Sequence, residues 1–321
     1  MQANRESAAA AIERLKAETA RAFVGQEELV AHCVIALLAG GHILVEGAPG
    51  LGKTLLVRCL ARAIGGEARR IQFTPDLMPG DITGNIVLDL ATGAFVTRKG
   101  PVFCNVLVAD EINRAPAKTQ AALFEAMQEF QVSLDGVSHA LPSPFMVMAT
   151  ENPCEHEGTY PLPDAQKDRF LLKLQVGYPT LAEETALLAR VLDGKSGASL
   201  DLEAVGQVLS PREVLALRDL AARVRVDPVI LDYAARLTAA TRDRALFETG
   251  AGPRGSLALV RCARARALSE GRDFVIPDDI KALAVPALAH RVTLPAESEL
   301  EGLDARQAIA RVLARVEAPR A

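Results

Sequence analysis

Along the first two thirds of the chain, short apolar runs alternate with longer stretches in which apolar residues recur at helical spacing. The short runs are typical of buried strands, and they lie at residues 42–46, 70–73, 106–111, 145–150 and 170–174. Helical spacing is found at residues 8–21, 27–39, 55–64 and 118–130. Strands that alternate with helices in this way predict an α/β fold, in which a parallel sheet is flanked by helices on both faces.

The last third of the chain has a different pattern. Small and flexible residues at 193–198 indicate a linker, and from residue 211 onward the spacing of apolar residues is helical throughout. We therefore predict two domains, an α/β core over residues 1–195 and a smaller all-helical domain over residues 196–321. Helices of the second domain are predicted at residues 213–224, 228–242, 254–270 and 277–290.

Two segments within the core interrupt the alternation of strands and helices. Residues 85–97 contain two short apolar strands around Gly93, and residues 132–140 alternate around Asp135-Gly136, which is a strong signal for a two-residue hairpin turn. Both segments are predicted to be hairpin insertions. The tip of the first hairpin faces solvent and is either a contact surface for a partner or a plain surface hairpin.

Composition argues against several classes of function. Lysine and arginine total 36 and aspartate and glutamate 40, so the net charge is −4 and gives no electrostatic signature for nucleic acid binding. Tryptophan is absent and the 5 cysteines lack metal-ligand spacing, which argues against base-stacking platforms and a structural metal site. The sequence shows neither a signal-peptide pattern nor an apolar run long enough to cross a bilayer, so we expect a cytoplasmic protein.

The most specific motif follows the first predicted strand of the core. It fits the phosphate-binding pattern of a glycine, four residues and Gly-Lys-Ser/Thr, and a predicted helix follows at once. Glycines allow backbone N–H groups to converge on phosphate oxygens, and the helix N-terminus adds partial positive charge. An ordinary glycine turn is the alternative, and the flanking strand and helix weigh against it. The predicted cradle for a nucleoside triphosphate is Gly47, Ala48, Pro49, Gly50, Leu51, Gly52, Lys53 and Thr54, with Lys53 on the outer phosphates and Thr54 on Mg²⁺.

Polar residues follow two further predicted strands. Asp110 and Glu111 end the run that begins at residue 106, at the carboxyl end where ligands bind in open α/β sheets. Asp110 is suited to hold Mg²⁺, and Glu111 is suited to polarise the water that attacks the γ-phosphate. Asn152 lies just past another strand, where its amide can orient that water. The alternatives are a solvent-exposed acidic pair and a simple Asn-Pro turn.

These motifs, in their order and separation, resemble those of AAA+ ATPases and, more narrowly, those of the MoxR family. The resemblance covers nearly the whole chain, and the run at residues 157–170 is its most discriminating part. The segments that carry it are Val24-Gly25-Gln26, residues 47–54, 110–116, 149–153 and 157–170, and Gly252-Pro253-Arg254.

The resemblance implies roles for residues outside the phosphate loop. Asn152 matches the position called sensor 1, and Arg169 matches the arginine finger that enters the neighbouring subunit's site. Arg254 matches sensor 2, which reaches the γ-phosphate from the helical domain. A salt bridge with Asp164 or Asp168 is the alternative role for Arg169. The residues expected to border the nucleotide beyond the loop are Gly25, Gln26 and Leu55.

The resemblance further implies a chaperone-like machine that hydrolyses ATP and matures or activates a protein complex, for example by metal or cofactor insertion. Such proteins are expected to form a homo-oligomeric, hexameric ring and to act with a protein client and a partner that carries a von Willebrand factor A domain. Residues 74–80 lack the aromatic-hydrophobic-glycine loop of threading unfoldases, so local remodelling is favoured. A DNA-directed motor on the same fold and an ATP-gated scaffold without turnover are the alternatives. The acidic charge balance argues against the first and Glu111 against the second.

Overall fold

The computed structural model describes residues 2–21, 23, 26–48, 50–151, 160–192 and 202–319. In chain order its strands are β1 (Ile43–Glu46), β2 (Ala68–Gln72), β3 (Gly84–Asp89), β4 (Ala94–Lys99), β5 (Val106–Asp110), β6 (Gln131–Leu134), β7 (Val137–Ala140), β8 (Met146–Glu151) and β9 (Leu172–Gln175). The α-helices are α1 (Gln2–Ala20), α2 (Glu27–Leu38), α3 (Lys53–Ala63), α4 (Pro79–Thr83), α5 (Ala117–Glu129), α6 (Asp164–Lys167), α7 (Leu181–Leu192), α8 (Pro211–Ala222), α9 (Pro228–Ala240), α10 (Pro253–Ser269), α11 (Pro277–Leu288), α12 (Ala296–Leu300) and α13 (Ala305–Arg315).

Five strands form a parallel sheet in the order β2-β5-β8-β1-β9. Both faces of this sheet are buried, because alternate residues of β5 enter two separate hydrophobic clusters. Val106 and Val108 belong to the cluster formed with α3 and the helical domain, whereas Leu107 and Ala109 pack with Phe124 of α5. A strand that is buried on both faces needs apolar residues at every position, which is why its sequence shows no alternation. The predicted α/β fold with a parallel sheet and a following helical domain is confirmed.

The parallel register brings the carboxyl ends of three strands to one edge of the sheet. Glu46 at the end of β1 lies beside Glu151 at the end of β8, and Ala149 of β8 lies beside Ala109 of β5. Chain segments that leave β1, β5 and β8 at this edge therefore meet. In open parallel sheets this is the edge at which ligands bind.

The helical domain packs around α10, a helix of 17 residues that contacts α1, α8, α9 and α11. Its last helix, α13, was missed by the sequence analysis. Asp304 caps that helix by accepting the N–H of Gln307 at 2.7 Å, and Gln307 Oε1 accepts the N–H of Asp304 at 3.3 Å. This capping box is visible in the sequence as an Asp followed three residues later by a Gln.

Both predicted hairpin insertions are confirmed, because β3 pairs with β4 and β6 pairs with β7 in antiparallel register. The second hairpin turns through Asp135 at φ 49° and Gly136 at φ 76°, the positive values that a tight two-residue turn needs. On the first hairpin, the side chains of Leu90 and Phe95 stand in solvent.

The predicted linker at residues 193–198, and with it the predicted domain boundary at residue 195, lies outside the described residues. Across the ranges that are described, no helix is both long and apolar enough to cross a membrane.

Candidate active site

The chain leaves β1 through a glycine-rich turn and enters α3. Gly50 and Gly52 have φ values of 84° and 77°, in a region that residues with side chains rarely adopt. Gly47 is needed for a different reason, because a Cβ atom there would lie 2.6 Å from the carbonyl oxygen of Val176. Helix α3 begins at Lys53, so its unpaired N–H groups open onto the same turn. The turn is therefore a cradle suited to phosphate oxygens.

Lys53 brings a positive charge into this cradle. Its Nζ donates a hydrogen bond to the carbonyl oxygen of Gly47 at 2.8 Å. Partial burial lowers the pKa of Lys53, while the negative charges of Asp110 and Glu111 act to raise it. Phosphate oxygens would offer this ammonium group charged acceptors, which bind it more strongly than a backbone carbonyl does.

Thr54 and Asp110 place two oxygen ligands beside the loop. Thr54 Oγ1 lies 3.4 Å from Asp110 Oδ2, and Asp110 Oδ1 accepts a hydrogen bond from Thr150 Oγ1 at 3.0 Å. In nucleotide sites, Mg²⁺ is typically held by one or two protein oxygens together with phosphate oxygens and water. The hydroxyl of Thr54 and the carboxylate of Asp110 fit that requirement. Within the described ranges, no three His, Cys, Asp or Glu residues form a separate metal-binding cluster.

Glu111 has a backbone conformation that is uncommon for a residue other than glycine, with φ at 55°. Its N–H donates to Thr150 Oγ1 at 2.9 Å, which helps to hold this conformation. Its carboxylate accepts a hydrogen bond from Gln72 Nε2 at 2.8 Å and pairs with Arg114 Nε at 3.0 Å. The carboxylates of Glu111 and Asp110 therefore have different partners, although Thr150 bonds both the backbone of Glu111 and the side chain of Asp110.

Three polar residues of this region were missed by the sequence analysis. Arg70 Nε donates to Asp110 Oδ2 at 2.6 Å, and Arg70 Nη2 donates to Gln72 Oε1 at 2.6 Å. Thr150 is the third, since it joins the side chain of Asp110 to the backbone of Glu111. Arg70 and Gln72 alternate at the carboxyl end of β2, which is paired with β5. Polar residues at alternate positions near the end of a predicted strand are the signal that would have found them.

The predicted nucleotide-binding residues surround a cleft and an adjoining cavity. The cavity, of about 600 Å³, is lined by Gln26, whose Nε2 donates to the carbonyl oxygen of Gly177 at 3.1 Å. Two other predicted residues line neither space: Leu55 packs at the margin of the core, and Ala48 lies within the loop. The predicted residues Gly25, Pro49 and Asn152 lie outside the described residues. The cleft, of about 340 Å³, brings together Gly47, Gly50, Leu51, Gly52, Lys53, Thr54, Asp110 and Glu111.

Arg169 and Arg254 lie at the opposite edge of the sheet from the phosphate loop. Leu171, two residues after Arg169, donates its N–H to the carbonyl oxygen of His42, the residue that precedes β1. The phosphate loop follows the other end of that strand. Arg254 lies at the same amino edge, because its Nη1 pairs with Asp168 Oδ2 at 3.4 Å. Neither arginine lines the cleft of its own chain.

Arg169 makes no ion pair with a carboxylate among the described residues. Its guanidinium group lies over the ring of Phe124, 5.6 Å from the centroid, and its Nε is buried without a hydrogen-bond partner. Asp164 pairs with Lys167 at 3.5 Å, and Asp168 pairs with two arginines of the helical domain. The alternative of a salt bridge between Arg169 and Asp164 or Asp168 is therefore not observed.

Two protein families match separate parts of the chain. The family described as "ATPase family associated with various cellular activities (AAA)" matches residues 42–172, and the family described as "AAA lid domain" matches residues 239–312. A crystal structure of a candidate ATPase from Cytophaga hutchinsonii superposes with a TM-score of 0.91 at 39% identity and covers 98% of this chain and 97% of that one. The fold and the cleft thus define an AAA-type ATPase with a helical lid.

Two relatives show to which family of AAA-type ATPases the chain belongs. Chaperone MoxR1 of Mycobacterium tuberculosis is 44% identical over 317 residues, which cover 96% of this chain and 82% of the relative. Protein MoxR of Methylorubrum extorquens is 34% identical over 305 residues, which cover 88% of this chain and 87% of the relative. The chain belongs to the MoxR family of AAA+ ATPases.

Proposed function

We propose that this protein hydrolyses ATP in a Mg²⁺-dependent reaction at a site shared by two subunits of a homo-oligomeric, hexameric ring. One subunit supplies the phosphate loop, Asp110 and Glu111, and its neighbour supplies Arg169 and Arg254. The observation that supports this most directly is the position of the two arginines. They lie at the amino edge of the sheet, whereas the phosphate loop of the same chain lies at the carboxyl edge.

Within a single chain, the length of a strand separates the two arginines from the phosphate loop. β1 has 4 residues, which at about 3.3 Å per residue separate the two edges by about 13 Å. Arg254 is also engaged with Asp168 at the amino edge. A head-to-tail arrangement of identical chains brings the amino edge of one copy to the cleft of the next, and it closes into a ring when the rotation between copies closes.

Within the cleft, each residue has a distinct proposed role. Backbone N–H groups of the loop and Lys53 bind the phosphate oxygens, and Thr54 and Asp110 hold Mg²⁺. The bound ion would neutralise charge on the β- and γ-phosphates. Glu111 polarises the attacking water, an effect worth about two to four powers of ten in rate. Asn152, outside the described residues, is proposed to orient the same water.

The nucleoside end of ATP is proposed to occupy the cavity beside the cleft. Gln26 and Leu29 line it from the core, and Val285 and Pro286 line it from α11 of the lid. Apolar surface with a few polar groups suits a flat base. Bound ATP would therefore contact both domains, so that its arrival and departure can change their relative position.

At the level of biological role, we propose a chaperone-like remodeller that matures or activates a protein complex, including by metal or cofactor insertion. One relative is itself named a chaperone. The first hairpin exposes Leu90 and Phe95, which do not line the cleft and offer an apolar surface for a protein client. The family resemblance adds a partner with a von Willebrand factor A domain. The absence of an aromatic-hydrophobic-glycine loop at residues 74–80 favours local remodelling over threading.

Turnover measured against protein concentration tests the shared site. We expect turnover per subunit to rise as rings assemble, and Arg169→Ala to lower it by about three to five powers of ten without loss of ATP binding. Full activity in a dilute monomer would overturn the proposal.

Two further measurements separate the alternatives. Glu111→Gln should retain bound ATP while the unaltered protein releases phosphate, and a pure ATP-gated scaffold would show no such difference. Turnover that is stimulated by DNA and weakened by salt would instead favour a DNA-directed motor.

A further inference from the structure

A buried arginine of the lid holds the backbone on both sides of Arg169. Arg291 Nη2 donates to the carbonyl oxygens of Phe170 at 2.6 Å and Asp168 at 3.2 Å, and Nη1 donates to that of Leu171 at 3.3 Å. The Arg291 side chain is only 3% exposed. One guanidinium group thus contacts three of the four residues from 168 to 171, and Arg169 is the remaining one.

The carboxylate of Asp168 joins this contact to the second arginine. Its Oδ1 pairs with Arg291 Nε at 2.8 Å, and its Oδ2 pairs with Arg254 Nη1 at 3.4 Å. His290 Nε2 also lies 3.0 Å from the carbonyl oxygen of Phe170, so the lid contacts this segment at several points. Asp168 comes from the core, whereas Arg254 lies in the first turn of α10 and Arg291 follows α11, both in the lid.

The negative charge of Asp168 is what joins Arg291 and Arg254. A buried guanidinium group is costly unless it is paired and hydrogen-bonded, and Asp168 supplies the negative charge for Arg291. Arg254 is about half exposed, so a single ion pair contributes little to folding stability. The Asp168–Arg254 contact instead restricts where an otherwise mobile side chain points. Asp168 therefore orients Arg254 directly, and it affects Arg169 through Arg291, which holds the backbone on both sides of Arg169.

Building on the proposed function, we infer that Asp168 is a positioning residue for the neighbouring subunit's reaction. Held by Arg291, it fixes the backbone that carries Arg169 and orients Arg254, so that both guanidinium groups face the neighbour's γ-phosphate together. Asp168 touches no reacting atom in this arrangement. Its effect on turnover passes through the two arginines and appears in the next subunit's site, not in its own.

Asp168→Asn tests this inference, because it keeps the size of the side chain and removes its charge. We expect turnover to fall about tenfold or more, with ATP affinity and ring mass unchanged. Asp164→Asn is the matched control, since Asp164 begins α6, the short helix that directly precedes Asp168, and pairs only with Lys167 among the described residues. It should leave turnover unchanged. Equal effects of the two substitutions, or a loss of ATP affinity in Asp168→Asn, would overturn the inference.

Mixed rings separate positioning in the neighbour from damage to the variant's own site. Glu111→Gln subunits cannot hydrolyse ATP but carry intact arginines for the next subunit. In an equimolar mixture, turnover per Asp168→Asn subunit should recover to about half of the unaltered value, because about half of its neighbours are then Glu111→Gln. A structural defect in the variant's own site would show no recovery.

Parallel mixing of Arg169→Ala with Glu111→Gln keeps the two proposals distinguishable. Recovery for Arg169→Ala without recovery for Asp168→Asn would leave the shared site standing and overturn the role of Asp168. Recovery for neither would overturn the shared site itself. If Asp168→Asn fails to assemble, Asp168→Glu is used in the same mixtures. It keeps the charge and displaces it by one methylene, so the same loss and the same recovery are expected.

Discussion

Arg70 Nε lies 2.6 Å from Asp110 Oδ2, the same carboxylate oxygen that faces Thr54 Oγ1 at 3.4 Å. The guanidinium group therefore occupies the oxygen that the proposed Mg²⁺ ion would need. Two cations that share one carboxylate oxygen weaken each other's binding. Through Gln72, Arg70 is also connected to Glu111, so both carboxylates of the site are engaged by residues of β2.

We predict that Arg70→Ala tightens metal binding to the ATP-bound protein. Removal of the competing charge should lower the dissociation constant for Mn²⁺, used as a spectroscopic substitute for Mg²⁺, by about tenfold. The measurement is a Mn²⁺ titration followed by electron paramagnetic resonance in the presence of ATP. Arg69→Ala is the control, because Arg69 lies on the same strand and pairs with Glu67 at 2.7 Å. Weaker Mn²⁺ binding in Arg70→Ala would contradict competition and would instead assign Arg70 to the phosphates.

Thr150→Val should lower turnover by about 10- to 100-fold, the usual range for groups that orient a metal ligand. Thr150 is buried, donates to Asp110 Oδ1 at 3.0 Å and accepts the N–H of Glu111 at 2.9 Å. Valine has the same shape and makes neither hydrogen bond. Steady-state turnover is the measurement, and Thr150→Ser should restore most of it because the hydroxyl returns. If serine and valine were equally impaired, the hydroxyl would have no role.

The arrangement of the carboxyl edge follows from local patterns in the sequence. The runs that became β1, β5 and β8 are apolar up to their last one or two residues, and the chemistry-bearing residues lie at or beyond their carboxyl ends. Parallel pairing therefore brings Lys53, Asp110 and Glu111 together. Arg70 and Gln72 obey the same rule, but Arg69 and Arg70 are both exposed on an edge strand, where polar residues are ordinary and do not by themselves indicate a site.

The location of Arg254 could not be obtained in this way. Its spacing along the chain says nothing about which edge of the sheet the lid reaches. That choice rests on contacts between residues far apart in sequence, above all Arg291 with Asp168 and with the backbone that follows it. Helix α7 was also missed, although Thr180 and Glu183 form a capping box at its start that is visible in the sequence as a Thr followed three residues later by a Glu.

Gly47→Ala is predicted to weaken ATP binding by about tenfold or more, because the new Cβ would lie 2.6 Å from the carbonyl oxygen of Val176. A backbone atom cannot rotate away as a side chain can, so the loop itself has to shift. Overpacking of this kind also costs about 1 to 3 kcal/mol of stability. A titration with a fluorescent ATP analogue and thermal unfolding measure the two effects.

Gly206→Ala serves as the control for that experiment. A Cβ atom at this position would lie 3.6 Å from Glu18 Oε1, which is an ordinary contact. ATP affinity should then equal that of the unaltered protein. Unchanged affinity in Gly47→Ala as well would show that the loop tolerates displacement and that its geometry is not what selects glycine.

His42 is predicted to make folding stability depend on pH in the acid range. It is buried, its Nε2 lies 3.0 Å from the carbonyl oxygen of Met127, and its Nδ1 accepts the N–H of Val147 at 3.0 Å. A ring that donates through one nitrogen and accepts through the other is neutral. Burial lowers the pKa of His42 from 6.5 to about 4. Between pH 6.5 and about 4, the unfolded chain therefore binds a proton at this residue that the folded chain does not bind.

The direction of this pH dependence follows from the lowered pKa of His42. Stability is complete above pH 6.5 and falls as the pH is lowered toward 4, by an amount on the order of 3 kcal/mol from this residue. Burial also lowers the pKa of His32 and His290, so all three act in the same direction. Urea unfolding across this range measures the slope. His42→Gln removes one titrating group, so the slope of the unfolding free energy against pH should decrease by the contribution of about one proton. The substitution should also lower stability at neutral pH. An unchanged slope would mean that His42 is already protonated in the folded protein, which the hydrogen bond from Val147 opposes.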